Sequence, residues 1–144
     1  RYLALQWAAK LHDIGKISIP DQIISKPGKL TPEEYTAVKQ HSSIAADILR
    51  PLDPGARITP VIRYHHERFD GKGYPEGLAG TDIPVGSRVI AIADTYDAMR
   101  SSRPYRTAMS FDQCIEEIRV NSGRQFDPEW VEAFLDLAQT GSVD

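Results

Sequence analysis

An all-α domain is the architecture this sequence predicts, and three observations predict it. Apolar residues recur at three- and four-residue spacings along most of the chain. Helix-opening residues stand at Thr31, Ser110 and Asp127. No pair of alternating runs reads as partnered strands, and no internal repeat or low-complexity tract interrupts the pattern. At 144 residues the chain is long enough for one core and is read as one domain, 1–144.

Each element follows from its residues. Leu3, Trp7 and Leu11 recur on one face of an opening helix that ends near Gly15. No N-capping residue precedes that helix, so it reads as the middle of a longer one and the chain as N-terminally truncated. Pro20, Pro27 and Gly28 then mark a loop. Thr31-Pro32-Glu33-Glu34 opens the next helix, with Thr as cap and Pro in the first turn. From there to Leu49 the pattern fits one helix or two short ones meeting near His41, before Pro51 and Pro54 end it. Val61, Ile62 and Tyr64 belong to a helix ending near His66. The stretch 69–77, with Gly71, Gly73 and Gly77, reads as an ordered loop. Pro84 opens an apolar helix over 85–99; Ser110 caps one whose inner face is Phe111, Cys114, Ile115 and Ile118. Asp127-Pro128 starts the last, with Val131, Phe134, Leu135 and Ala138 inward.

Composition excludes several function classes. A net charge of −3 disfavours a broad basic face for a nucleic acid polymer, although a few local cations can still hold a small phosphorylated ligand. Cys114 stands alone, which excludes an internal disulfide and fits a reducing compartment. No apolar run spans a bilayer and no signal peptide opens the chain, so a cytoplasmic domain is expected, whether or not the parent protein is membrane-anchored.

The chemistry is carried by His12, His41, His65 and His66, with Asp13 beside the first and Asp94 inside an otherwise apolar helix. Helix bundles build metal sites from inward side chains on facing helices. Imidazole and carboxylate together suit iron, manganese, nickel or zinc. Neighbouring helical residues point about 100° apart, so His12-Asp13 and His65-His66 each reach different ions more easily than one. That argues for two or more metals, an arrangement that stabilises both oxygens of a phosphoryl displacement. Taken singly, each residue has a plainer explanation: His41 as a cap, His65-His66 as a polar helix end, Asp94 paired with Arg88 or Arg100. Taken together, the plain account requires every histidine to be incidental. Beside them, Gly71 and Gly73 permit close backbone approach to a ligand, and Tyr74 offers a ring and a hydroxyl. Lys16, Arg103 and Arg106 are candidate phosphate cations, with solvated surface as the alternative for either arginine.

These stretches resemble a known family. Leu11-His12-Asp13-Ile14-Gly15-Lys16, then Lys26-Pro27-Gly28-Lys29-Leu30-Thr31, is similar to the opening of the HD-GYP family. His65-His66-Glu67-Arg68-Phe69-Asp70-Gly71-Lys72-Gly73-Tyr74-Pro75 matches its second signature. The likeness continues through Asp94-Thr95-Tyr96-Asp97-Ala98-Met99, Arg103-Pro104-Tyr105-Arg106 and Phe126-Asp127-Pro128, covering about Leu11 to Leu135. The resemblance implies an HD-superfamily helical bundle that hydrolyses cyclic di-GMP to pGpG, often onward to GMP. It implies metal ligation by His12, Asp13, His41, His65, His66 and Asp94, with Asp13 bridging two or three divalent ions, iron or manganese favoured. Asp13 and Lys16 would be catalytic; Lys16, Tyr74, Arg103 and Arg106, and more weakly Asp97, would contact substrate. It further implies a histidine ligand, and in some members a glutamate, upstream of Arg1, leaving the site incomplete in this chain. An upstream sensor or receiver domain and GGDEF-type signalling partners would be usual. A catalytically silent cyclic-dinucleotide receptor or signalling module is the second expectation, and hydrolysis of another cyclic dinucleotide or of mononucleotides the third.

Overall fold

The computed structural model describes residues 2–102, 107–141 and 143, and among these there are helices, short 3-10 turns and no β-strand. In chain order the α-helices are α1 (Tyr2–Leu11), α2 (Asp21–Ile24), α3 (Pro32–Lys39), α4 (His41–Leu49), α5 (Thr59–Arg63), α6 (Val85–Arg100), α7 (Phe111–Val120) and α8 (Pro128–Gln139). The predicted all-α class holds. No described helix is long and apolar enough to cross a membrane.

Local chemistry sets the helix starts. The Thr31 hydroxyl accepts from the Glu34 N–H at 3.2 Å while the Glu34 carboxylate accepts from the Thr31 N–H at 2.7 Å, the reciprocal capping expected from the sequence. Ser110 and Gln113 repeat it at α7, and Asp127 caps α8 by accepting from the Glu129 N–H at 2.9 Å. α5 has no capping side chain of its own. Asp53 supplies one, accepting from the N–H groups of Ile58 and Thr59 at 2.8 Å.

Two apolar clusters form the core. Ala8 of α1, Ala45 and Leu49 of α4, Ile62 of α5 and Ile90 of α6 make the first. Ile92 and Met99 of α6, Cys114 and Ile118 of α7, Phe126, and Val131 of α8 make the second. α6 serves both, as the longest helix, and Asp94 leaves it between Ile92 and Met99. A buried pair, Arg88 to Asp127, ties α6 to the start of α8.

Several expectations need correction. The inner face of α1 carries Leu5, Ala8 and Leu11; Leu3 and Trp7 are 65% and 49% exposed on the other side. A helix apolar on both sides offers the periodicity two solutions, and packing on α5 selects the Ala8 side because small residues allow close approach. Between Pro32 and Leu49 the choice falls on two helices, broken at Gln40. α5 stops at Arg63, so His65 and His66 lie just past its end rather than within it. The loop after Pro20 contains the short α2, too brief for its periodicity to be read.

Candidate metal centre

The six predicted ligands converge, and most come from the ends of helices. His12 and Asp13 follow α1, His41 is the first residue of α4, His65 and His66 follow α5, and Asp94 lies within α6. Gly15 makes the first approach possible: a Cβ there would sit 1.9 Å from the His41 carbonyl oxygen. Only glycine lets the turn after Asp13 press against the start of α4.

One device orients three of the imidazoles. Nδ1 of His12, His41 and His65 lies 2.7, 2.6 and 2.5 Å from the carbonyl oxygens of Ala9, Val38 and Ile62, each three residues earlier. Carbonyls only accept, so each Nδ1 carries the proton and each Nε2 presents a lone pair to the centre. Holding a ligating histidine by its other nitrogen fixes tautomer and ring direction together. His66 is aimed instead by stacking on Tyr74, with ring centres 4.9 Å apart.

Ligand atoms of His41, His65 and His66 all lie within 4.8 Å of one another, as do those of His12, Asp13 and His65. Asp94 Oδ1 is 3.5 Å from His12 Nε2. The two oxygens of Asp13 face different partners: Oδ1 is 3.6 Å from His41 Nε2, and Oδ2 is 3.5 Å from His12 Nε2 and 2.6 Å from Lys16 Nζ.

The residues fit divalent metal ions on three counts. Nε2 of His12 and of His65 are buried with no hydrogen-bond partner, which is costly unless something accepts their lone pairs. Nε2 of His41 and of His66 face each other at 3.2 Å, the spacing of neighbouring nitrogens each about 2.1 Å from one ion. The protonation states also suit ligation. Burial pushes His65 down to about 4 and His66 to about 2, with neighbouring imidazoles adding to both, and burial lowers His41 as well. These rings are neutral donors at physiological pH. His12 moves the other way because Asp94 lies against it; the same contact holds Asp94 down at about 2. A negative field that favours a proton there also favours a divalent cation.

Beside the centre opens a cleft of about 420 Å³, lined by His66 and Asp94 at its inner end and by Tyr35, Arg68, Lys72 and Tyr74 further out. The glycine loop is its ordered wall. Buried Glu67 holds the far side of that loop by accepting from the N–H groups of Glu76 and Gly77 at 2.7 and 3.0 Å. Gly73 packs where a Cβ would meet the Arg68 nitrogen at 2.4 Å, and the peptide from Tyr74 to Pro75 is cis. Lys16 pairs with Asp13 at 2.6 Å and, like Asp97, is not among the cleft-lining residues. Asp97 is exposed on α6. Arg103 and Arg106 lie outside the described residues.

Sequence reasoning misses a polar chain along the cleft wall. Arg68 binds Asp70 at 2.8 and 3.0 Å and reaches Gln125 at 3.3 Å, and Gln125 meets Thr95 at 3.4 Å, one residue from Asp94. The only sequence signal for Gln125 is its place before Phe126-Asp127-Pro128, a stretch the resemblance marks without assigning it a role.

Comparison with known proteins agrees with this geometry. An HD domain family model matches residues 2–130. A "Cyclic di-GMP phosphodiesterase" of Thermotoga maritima is 49% identical over 135 residues, covering 92% of this chain and 37% of that protein. A "3'3'-cGAMP-specific phosphodiesterase 2" of Vibrio cholerae serotype O1 is 41% identical over 133 residues, covering 90% of this chain and 25% of that protein. This chain therefore spans little more than a third of the first relative's length and a quarter of the second's. Among solved structures, a cyclic GMP-AMP specific phosphodiesterase of V. cholerae (V-cGAP3) superposes with a TM-score of 0.73 at 21% identity, covering 94% of this chain and 38% of that one, which is agreement of fold. His-Asp pair, paired histidines and Gly-Tyr-Pro loop meet at one centre on that fold, and the chain belongs to the HD domain family, in its HD-GYP branch.

Proposed function

We propose that this domain is the hydrolytic core of a metal-dependent phosphodiesterase that opens cyclic di-GMP. The observation that carries the reading is the meeting of six imidazole and carboxylate side chains beside a cleft of about 420 Å³, into which His66 and Asp94 open. Names of relatives support it, the Thermotoga protein being called a cyclic di-GMP phosphodiesterase.

His12, Asp13, His41, His65, His66 and Asp94 would hold two or more divalent ions, with iron or manganese the favoured identities. Bound there, such ions supply Lewis acidity toward phosphoryl oxygens and a usable nucleophile from water at neutral pH. The chain's own residues do the rest. Backbone-fixed imidazoles keep their lone pairs inward, so the centre is assembled before substrate arrives. Lys16, paired to Asp13, sits where a phosphoryl oxygen next to Asp13 would develop charge, and can shift its ammonium onto it. Tyr74, backed by the ring of His66, gives a purine a flat and rigid face. Burial holds its hydroxyl above the ordinary range, so it remains a neutral hydrogen-bond donor at any physiological pH.

Incubating the protein with cyclic di-GMP and manganese or ferrous iron, and resolving products by chromatography, tests the reading. Turnover to pGpG or GMP is expected, and Asp13→Asn should lower it at least about a hundredfold, a direct metal ligand mattering no less than the outer-shell partners of metal sites do. Tight binding without product would overturn hydrolysis in favour of a silent receptor. Cyclic GMP-AMP belongs in the same assay, because the V. cholerae relative is named for it; faster turnover of that dinucleotide would move the substrate assignment.

A further inference from the structure

Part of the cleft wall plays no role in the hydrolytic chemistry. Tyr35 and Lys39 stand one turn apart on α3, and Tyr35 is 49% exposed where it lines the cleft. The Lys39 ammonium lies 4.9 Å from the centre of the Tyr35 ring and 5.8 Å from that of Tyr74, which itself stacks on His66. From the metal ligands outward the order is imidazole, phenol, ammonium, phenol. Among the described residues Lys39 forms no ion pair, and its charge stands over two rings that line the cleft, Tyr35 and Tyr74. Core packing does not account for Tyr35, since α3 has no fully buried residue.

A cyclic dinucleotide explains what such a wall is for. It carries two purines and two phosphodiesters, and only one phosphodiester can occupy the hydrolytic centre at a time. The other half of the ring must lie outward, over α3 and the glycine loop. We propose that Tyr35 and Lys39 form a distal subsite, in which Tyr35 stacks on the purine remote from the metals and Lys39 compensates the phosphodiester that is not being cut. The proposal rests on the cyclic-dinucleotide reading above. Aromatic faces are sequence-tolerant platforms for bases, and an ammonium serves phosphate as a point charge.

Steady-state kinetics of the metal-loaded protein on cyclic di-GMP test it. Tyr35→Ala should raise KM about tenfold, as loss of one base stack does, with kcat changed less than about threefold. Tyr35→Phe should restore the wild-type KM, because the ring face remains. Lys39→Met should raise KM severalfold and flatten its increase with added salt. Should Tyr35→Ala lose its helical circular dichroism, Tyr35→Leu, which keeps bulk without the aromatic face, carries the same expectation. Bis(4-nitrophenyl) phosphate, with neither purine nor second phosphate, is run alongside. Wild-type turnover of cyclic di-GMP with unchanged KM in the Tyr35 and Lys39 variants would overturn the subsite and leave the enzyme assignment standing. Cleavage of the small diester without cleavage of cyclic di-GMP would overturn the substrate assignment and the subsite together.

Discussion

The two sides of α6 use burial for opposite ends. Toward α7 and α8 the buried residues are Ile92, Met99, Cys114, Ile118, Phe126 and Val131, which gain stability from leaving water. Toward α1, α4 and α5 the apolar cluster is smaller, with two alanines among its five buried residues, and the space nearby holds His41, Ser42, Thr59, His65 and Glu67. Burying those polar groups costs stability unless each finds a partner. Backbone carbonyls satisfy one nitrogen of each oriented imidazole, and on His12 and His65 the other is left bare. Cohesion is thus concentrated on one side of α6, and the other side accepts unsatisfied nitrogens as the condition of binding metal.

The sharpest way to break this comparison is to remove the shared histidine. His65 belongs to both groups of converging ligand atoms, so His65→Ala should strip metal from the centre and lower turnover at least about a hundredfold. Metal content by atomic emission, read beside activity, checks it. The fold should survive, because the substitution also removes a buried unsatisfied nitrogen. A His65→Ala protein that keeps its full metal complement would show the convergence to be incidental.

How much of this is legible in sequence depends on how rare each residue type is. Four histidines and a His-Asp pair stand out in 144 residues, and the helix caps at Thr31, Ser110 and Asp127 are local enough to read directly. The inner face of α1 is not legible, because Leu3 and Trp7 continue the apolar period as well as Leu5 and Ala8 do, and hydropathy does not say which side meets α5. Tyr35 is hidden for the reverse reason: a half-exposed tyrosine on a polar helix resembles any other surface residue until a cleft is seen beside it. Gln125 meets Arg68 and Thr95 only through contacts made in the folded chain, spanning 57 and 30 positions.

A second test, of intermediate size, uses acid on metal-free protein. His65 and His66 have folded values near 4 and 2, below the ordinary 6.5, so the unfolded chain binds their protons more readily. Their contribution to stability is full above about pH 6.5 and declines as pH falls toward the folded values. His12 opposes them: its raised value stabilises the fold at low pH and that benefit is lost as pH rises. His41, lowered by burial, adds to the loss, so the balance between pH 7.5 and 5.5 should be a net fall in stability. Urea midpoints at the two pH values measure it. Bound metal should flatten the dependence by holding the rings unprotonated, and an equally steep fall in the loaded protein would detach the acid sensitivity from the centre.

The smallest expected effect asks whether the two sides are independent at all. Ile118 is fully buried in the α7 side, and Ile118→Val should cost about 0.5–1.5 kcal/mol by deleting one methylene from a packed site. If cohesion and chemistry are separable, metal affinity and KM stay at wild-type values while the melting temperature falls. α6 is where separation would fail, because Ile92 and Met99 pack in that cluster while Asp94, between them in sequence, faces His12. A loosened cluster that lets α6 shift would move Asp94 from His12 and weaken metal binding in proportion to lost stability. Measuring metal affinity in Ile118→Val, and again in Ile118→Ala where the cavity is larger, separates the outcomes: a flat response makes α6 a rigid partition, and a graded one makes it the element through which packing sets the strength of the site.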